Sequence, residues 1–145
     1  MTNIQIIKDR SKLKGTAYVE LMTGAYANAC WNEGSLFFEE EVFGYIEPTI
    51  TRYEPTYDHY AFTPIEMPNW LLIVADLGDM RRALESVTLR ESVWGHIGFF
   101  FDDSERRFIE QLDANCIALA DLILGLDAWT RENQTKNDCV TILGL

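Results

Sequence analysis

Asp58 and His59 are the only acid and imidazole that are adjacent in this 145-residue chain. Such a pair could carry out general acid–base catalysis. Neighbouring residues point in different directions on most backbones, however, so the pair is a weak indication of catalysis. Neither histidine has a serine or cysteine nucleophile at a recognised spacing, and no nucleotide-binding or zinc-protease motif occurs. The sequence therefore predicts no enzyme and no catalytic residue, with Asp58 and His59 as the minor alternative.

Acids and cysteines are the other residue types that could support chemistry. The three acids at positions 39–41 are consecutive, and consecutive helical residues diverge by about 100°, so they do not converge on a metal ion. Cys30, Cys116 and Cys139 are odd in number and widely spaced, without a CxxC pair. This pattern disfavours a disulfide framework and a zinc site, and it favours buried reduced thiols. We predict neither a metal nor any other cofactor.

The charge distribution is the most informative feature of the chain. Residues 15–80 contain eleven carboxylates and one base, Arg52, so this stretch carries −10 of the total formal charge of −11. A field of this sign attracts basic surfaces and repels polyanions. A pI near 4.5 argues against nucleic acid or an anionic membrane as the partner. Composition alone is equally consistent with a merely soluble acidic domain.

Part of this acidic stretch has the composition of a protein-binding surface. Tyr53–Pro64 interleaves aromatic and acidic residues and contains two prolines, which predicts a structured connecting loop. Tyrosine and carboxylate together suit the lysines and arginines of a partner. Alternatively, the aromatic residues fill a gap between two helices. The predicted partner-binding residues are Glu54, Tyr57, Asp58 and Tyr60, followed by Glu39, Glu40 and Glu41.

Three amphipathic helices are expected to position these residues. The first begins after a suitable N-cap, Ser35, and is kinked or split by Pro48. The second runs from Pro68 to about Ser86, and the third opens at residues 102–104 and ends in the polar stretch 133–138. Each has apolar residues every three or four positions: Phe38, Val42, Ile46 and Ile50 in the first, Trp70, Ile73, Leu77, Met80 and Leu84 in the second, and Phe108, Leu112, Cys116, Leu119, Ile123, Leu126 and Trp129 in the third.

Short strands are expected near both ends of the chain, at residues 3–7 and 139–143. Tyr18–Met22 and Tyr26–Trp31 suit a β-hairpin, and a helix over Ala17–Met22 is the alternative. Residues 87–101 suggest a buried turn or a short strand. The prediction is a single α+β domain, residues 1–145, dominated by about three amphipathic helices with short strands near both termini. We also expect all four tryptophans in the core and solvated charge at residues 105–107.

No targeting or membrane segment is apparent in the sequence. Residues 1–7 are too short and too polar for a signal peptide. The longest apolar run, Cys116–Leu126, is interrupted by Asp121 and is too short to span a bilayer. We therefore predict a cytoplasmic protein.

The spacing and side-chain types of several segments resemble a known group of proteins. Leu36–Pro48, Tyr57–Ile65, Trp70–Ile73 and Cys139–Leu145, together with Trp129, are similar to immunity proteins of bacterial polymorphic toxin systems, including contact-dependent growth inhibition. The resemblance implies a small cytosolic protein that neutralises one cognate toxin domain. Such families share no catalytic residues that could be transferred to this chain.

The charge and the resemblance together lead to the functional prediction. Toxins of these systems are often nucleases with a basic substrate-binding surface, which an acidic inhibitor could cover. The expected partner is thus a basic toxin domain, and the oligomeric state is left open. The alternatives are a regulatory adaptor for another basic protein and, less favoured, a small enzyme that uses Asp58 or His59.

Overall fold

A four-stranded antiparallel sheet forms the centre of the structure, a computed structural model that describes residues 3–145. The strands are β1 (Tyr18–Thr23), β2 (Leu36–Glu39), β3 (Phe62–Glu66) and β4 (Cys139–Leu143), in the order β2-β1-β4-β3. Residues 3–145 also form six α-helices: α1 (Glu40–Gly44), α2 (Glu47–Tyr53), α3 (Met67–Leu84), α4 (Arg90–Val93), α5 (Ser104–Glu110) and α6 (Leu112–Asn133). The predicted α+β class is confirmed, whereas three helices understate the number.

The strand pairing gives one face of the sheet to the core. Val19 lies opposite Phe38, and Ile65 lies opposite Val140, so directly paired apolar residues share that face. The two long helices, α3 and α6, pack together and complete the core. Inside it, the Trp70 indole donates a hydrogen bond of 3.0 Å to the Thr130 hydroxyl. This bond satisfies the polar atom of the buried Trp70 ring and joins the two helices.

The predicted first helix is wrong at its start. Residues 36–39 form β2, in which Leu36 and Phe38 face the core and Phe37 is buried on the opposite face. Ser35 does not cap a helix, because its hydroxyl donates to the Glu20 carboxylate at 2.7 Å. The expected break near Pro48 is confirmed, since α1 ends at Gly44 and α2 begins at Glu47. A four-residue spacing of apolar residues therefore continued from a strand into two short helices.

Residues 18–23 form a strand, but its partner is not the predicted one. β1 pairs with β2, and Tyr26–Trp31 belongs to the loop between them. Asn28 and Trp31 have φ values of 66° and 59°, in the left-handed region that an extended strand excludes. For a residue other than glycine this conformation is strained by about 1–3 kcal/mol.

The Glu20 carboxylate fixes this loop across the second face of the sheet. Glu20 is 3% exposed and accepts hydrogen bonds from the backbone N–H groups of Trp31 (2.6 Å) and Asn32 (2.9 Å). The Asn32 side chain and the Ser35 hydroxyl also donate to it. Because a buried carboxylate is stable only with such donors, the charge on β1 requires the loop to fold over it.

Other elements confirm or correct the sequence analysis. The α3 helix and the strand β4 are confirmed. The N-terminal segment contributes an isolated bridge between Ile7 and Phe37, and residues 90–96 are helical rather than a strand. The expected third helix is divided at Gln111 into α5 and α6, because the backbone of Gln111 leaves the helical region there (φ −134°, ψ 55°). In the described part of the chain, no helix is both long and apolar enough to cross a membrane.

Two expectations about residue types are only partly correct. Trp70 and Trp129 are buried, but Trp31 is 38% exposed. Of the cysteines, Cys116 is buried whereas Cys30 is exposed. Both exposed residues lie in the loop over Glu20, outside the hydrophobic core.

The segment after the Trp94–His96 turn packs directly on α1 and α2 through Gly98. The Gly98 N–H donates to the Tyr45 carbonyl at 3.1 Å. A Cβ atom at Gly98 would lie 2.2 Å from the Gly44 carbonyl oxygen and 2.8 Å from Cδ of Pro48. The backbones meet here without room for a side chain, and this contact places the next residues, Phe99–Phe101.

We expect Gly98→Ala to lower the free energy of unfolding by about 1–3 kcal/mol, the usual cost of overpacking. Gly95→Ala is the matched control, because a Cβ there meets no described atom within 4 Å. Urea unfolding of both variants measures the difference. Equal stability of the two variants would show that the Gly98 contact is not tight.

Candidate functional site

Four rings from two distant segments of the chain lie in a row on the surface. His59 stacks on Phe100 with a centroid distance of 4.1 Å and an interplanar angle of 15°. Tyr60 lies edge-on to His59 at 4.8 Å, and Phe101 lies edge-on to Phe100 at 5.0 Å. The outer rings are accessible, since Tyr60 is 64% and Phe101 is 42% exposed. We call these four residues the aromatic row.

His59 lies between two carboxylates. Its Nδ1 is 2.7 Å from Oε2 of Glu47, and its Nε2 is 2.8 Å from Oε2 of Glu40. A neutral imidazole has one N–H group, so only the protonated ring can donate both hydrogen bonds. Since both nitrogens are held by carboxylates, neither is directed at a substrate.

The environment of His59 favours its protonated form. Burial alone would lower the pKa of His59. The hydrogen bonds to Glu40 and Glu47, with the negative charges of both groups, outweigh burial and raise the pKa above its ordinary value of 6.5. The aromatic row thus has a cation at its centre, held by two acids beside it.

Tyr57 supports this arrangement from below the surface. Its hydroxyl donates a hydrogen bond of 2.6 Å to the same Glu47 oxygen that His59 contacts. Burial, followed by this hydrogen bond to Glu47, raises the pKa of Tyr57, so the hydroxyl stays protonated. Its ring is tilted against Phe43 with a centroid distance of 6.5 Å. Tyr57 therefore holds Glu47 in place and does not present its hydroxyl to a partner.

The backbone around His59 is fixed by a local turn and by the end of β4. The Tyr60 N–H donates to the Asp58 side chain at 2.8 Å, which is an Asx turn. The Leu145 N–H donates to the His59 carbonyl at 3.2 Å. Gly144 is required at this point, because a Cβ there would lie 2.4 Å from that carbonyl oxygen.

The structure places most of the predicted partner-binding residues in one region. Glu40 and Tyr57 contact His59 or Glu47, and Asp58 and Tyr60 are exposed beside them. Glu39 precedes Glu40 at the end of β2 and is half-buried.

Glu54 belongs to a different part of the surface. It accepts a hydrogen bond from Asn69 at 3.1 Å and lines a separate cleft that also contains Glu66 and Asp138. It therefore does not border the aromatic row.

Glu41 does not belong to the accessible surface. It is 4% exposed, and both terminal nitrogens of Arg107 and the Ser104 hydroxyl donate to it. These bonds join α1 to α5. The prediction of Glu41 as a binding residue is corrected for this reason, and the prediction of solvated charge at residues 105–107 is wrong for Arg107.

The acidic block as a whole is less exposed than its charge suggests. Of its eleven carboxylates, two are buried, five are half-buried and four are exposed. The buried residues are Glu20 and Glu41; the half-buried ones are Glu39, Glu40, Glu47, Glu54 and Asp76; the exposed ones are Glu33, Asp58, Glu66 and Asp79.

The sequence analysis did not identify Glu47, Phe100 and Phe101 as site residues. The run Phe99–Phe101 was visible as an apolar segment. Its contact with His59 depends on the packing of Gly98 on α1, which no periodicity indicates. An aromatic run in a segment without helical or strand pattern was the only signal.

Two further sources of functional information are metal-binding clusters and similarity to known proteins. No group of three or more His, Cys, Asp or Glu residues among residues 3–145 could hold a metal ion. Comparison with protein-family models, curated proteins and solved structures finds no match. The resemblance to immunity proteins therefore stays a prediction.

The charge of His59 leads to a prediction about pH. A raised pKa in the folded state stabilises the protein below the unfolded pKa of 6.5, and this stabilisation is lost as pH rises through the folded pKa. We expect His59→Gln to lower the free energy of unfolding by roughly 1.5–3 kcal/mol at low pH, because charge-assisted hydrogen bonds are lost. The difference from the wild-type protein should shrink as pH rises.

Denaturant unfolding between about pH 5.5 and about pH 9 measures this difference. The control is His96→Gln, whose ring is exposed and lies outside the aromatic row. The account of His59 fails if the effect of His59→Gln is constant across this range or grows with pH.

Proposed function

We propose that this chain is an acidic inhibitor that acts in the cytoplasm by binding a basic protein. The partner that we propose is a cognate toxin domain of a bacterial polymorphic toxin system, with nuclease activity. The chain would then be an immunity protein that covers the basic surface of its toxin. Binding requires no bond to be made or broken by the inhibitor.

The observation that carries this proposal is the aromatic row with carboxylates at its border. Tyr60 and Phe101 expose ring surface. Asp58 supplies a negative charge beside them, and Glu40 and Glu47 supply one more than protonated His59 balances. Arginine stacks on aromatic rings and pairs with carboxylates, and both groups are present within one surface here. Aromatic side chains are also common among the few interface residues that contribute most of the free energy of binding.

The fixed positions of the acids support binding rather than only solubility. Glu40 and Glu47 are half-buried and held by His59 and Tyr57. Side chains that are already ordered lose little entropy when a partner arrives. A partner cation would therefore meet carboxylates in one geometry.

Inhibition would proceed in two stages. The net charge of −11 attracts a basic partner and accelerates encounter, up to about 10⁸–10⁹ M⁻¹s⁻¹ at low salt. Burial of the exposed rings then slows dissociation. The partner's lysines and arginines face carboxylates, so they no longer hold substrate phosphates.

The main alternative is an adaptor that binds a basic protein other than a toxin. The same surface would serve either role. Co-expression with the proposed cognate toxin domain separates them. An immunity protein restores growth, whereas an adaptor does not.

We expect the double variant Tyr60→Ala/Phe101→Ala to bind that toxin domain about 100-fold more weakly, because two exposed anchor rings are lost. Leu72→Ala/Leu124→Ala is the matched control, since these side chains are 54% and 51% exposed on the solvent-facing sides of α3 and α6. Calorimetry measures both affinities, and thermal unfolding checks that both variants are folded. Equal affinities of the two double variants would contradict a role for the aromatic row.

Salt provides an independent check on the electrostatic part of the proposal. The association rate should fall markedly from low to physiological ionic strength, because screening weakens attraction between exposed charges. Stopped-flow mixing with the toxin domain measures this rate. A rate that does not change with salt would remove electrostatic attraction from the mechanism.

A further inference from the structure

A second cleft lies between the loop over Glu20 and the second face of the sheet. It has a volume of about 510 Å³ and is lined by Glu20, Cys30, Trp31 and Phe62 together with the end of β4. Among its lining residues, Glu20 has the only charged side chain. The aromatic residues of this cleft are not part of the aromatic row.

The Glu20 carboxylate has an acceptor position left over. Its Oε2 accepts three hydrogen bonds, from Asn32 N–H, the Asn32 side chain and the Ser35 hydroxyl. Its Oε1 accepts one, from Trp31 N–H. Because each carboxylate oxygen offers about two lone-pair positions, Oε1 can accept another donor.

The charge on Glu20 is also without a counter-ion. Within residues 3–145, no lysine, arginine or histidine forms an ion pair with it. Buried charges in proteins are normally paired with an opposite charge, and Glu20 is 3% exposed. A cation that entered the cleft would supply the missing charge.

The rings of the cleft are suited to the same kind of group. Trp31 is 38% exposed and Phe62 is 45% exposed, and both contribute to the lining. Aromatic faces attract ammonium and guanidinium groups, tryptophan most strongly. Trp31 is held in the left-handed region, with φ 59°, by the hydrogen bond from its N–H to Glu20. The ring that would contact a cation is thus tied to the carboxylate that would pair with it.

Two bases of the chain itself come near the border of the cleft without lining it. Arg10 donates a hydrogen bond of 2.9 Å to the Trp31 carbonyl oxygen, and the Lys14 N–H donates to the Tyr18 hydroxyl. Neither side chain is among the lining residues. Arg10 donates to the Trp31 carbonyl and forms no ion pair with Glu20, so it does not supply the missing counter-ion.

We propose that this cleft receives a lysine or arginine side chain of the basic partner. The cationic group would donate to Oε1 of Glu20, and its methylene groups would lie against Trp31 and Phe62. The assignment of that side chain to a toxin rests on the proposed function. The affinity of the cleft for a cationic side chain is testable without any toxin.

The direct test is an NMR titration of the full chain with acetyl-Gly-Arg-Gly-amide. The control ligand is the same peptide with citrulline, which has the shape of arginine without its charge. We expect saturable shifts of the Trp31 indole and of Phe62 with the arginine peptide only, and affinity in the millimolar range for one side chain. A Trp31→Phe variant assigns the indole signal.

Two variants connect this binding to the proposed contacts. Glu20→Gln removes the charge. Phe62→Leu removes a ring of the cleft that also lies edge-on to Tyr26 of the loop at 4.8 Å, but it leaves in place the hydrogen bonds by which Glu20 holds the loop. Each should weaken binding of the arginine peptide about tenfold. Phe62→Leu keeps the test valid if Glu20→Gln loosens the loop.

The outcomes separate this inference from the proposed function. Equal shifts with the citrulline peptide, no shift at Trp31, or unchanged affinity in Phe62→Leu would overturn the cleft as a cation site. If the arginine peptide binds as expected but the proposed cognate toxin domain does not bind the chain, the cleft stands and the proposed function fails. If the toxin domain binds wild-type protein and Phe62→Leu equally well, only the cleft is contradicted.

Discussion

A carboxylate that leaves water requires hydrogen-bond donors, and the fold of this chain is organised around three places where this requirement is met. The loop that covers Glu20 supplies its donors, and Arg107 and Ser104 supply those of Glu41. His59 donates to both Glu40 and Glu47. The contacts of Glu41 link residues 63 and 66 positions apart, and those that the loop and His59 make with the other three acids link residues 11 to 19 positions apart. These four acids therefore hold parts of the fold together, whatever they contribute to binding.

This constraint determines which part of the acidic charge is accessible at the surface. Glu40 and Glu47 are held by His59, and the His59 ring in turn lies edge-on to the exposed Tyr60 ring. His59 contributes a positive charge in the middle of an otherwise negative region, which keeps Glu40 and Glu47 together despite their repulsion. The surface that results combines fixed charge with exposed rings, and this combination discriminates better between partners than net charge alone.

Much of the architecture could be predicted where periodicity was long or composition was uniform. The α3 helix carries a regular apolar stripe over its whole length, and β4 is a short run of apolar, mainly β-branched residues, so both were correctly assigned.

The prediction of a helix at residues 36–39 is wrong because a strand that is buried on both faces has no period-two pattern. The last apolar residue of this strand, Phe38, also continued the helical spacing of the residues that follow. The strand expected at Tyr26–Trp31 is wrong because Asn28 and Trp31 are left-handed. At Trp31 this backbone accompanies a hydrogen bond from its N–H to Glu20, a tertiary contact that the local sequence does not indicate. Asp58 and Tyr60 of the candidate site could be predicted from the sequence. The stacking of His59 on Phe100 could not, because it depends on the tight packing of Gly98 on Gly44.

The central claim is that a basic partner binds the face that carries the aromatic row, and hydrogen exchange tests it most directly. The measurement compares backbone exchange in the chain alone with exchange in the presence of the proposed cognate toxin domain. The account predicts that protection increases at residues 57–61 and 99–102 and in the loop at 30–32, with little change on the outer faces of α3 and α6. Protection confined to those outer helix faces would contradict the account.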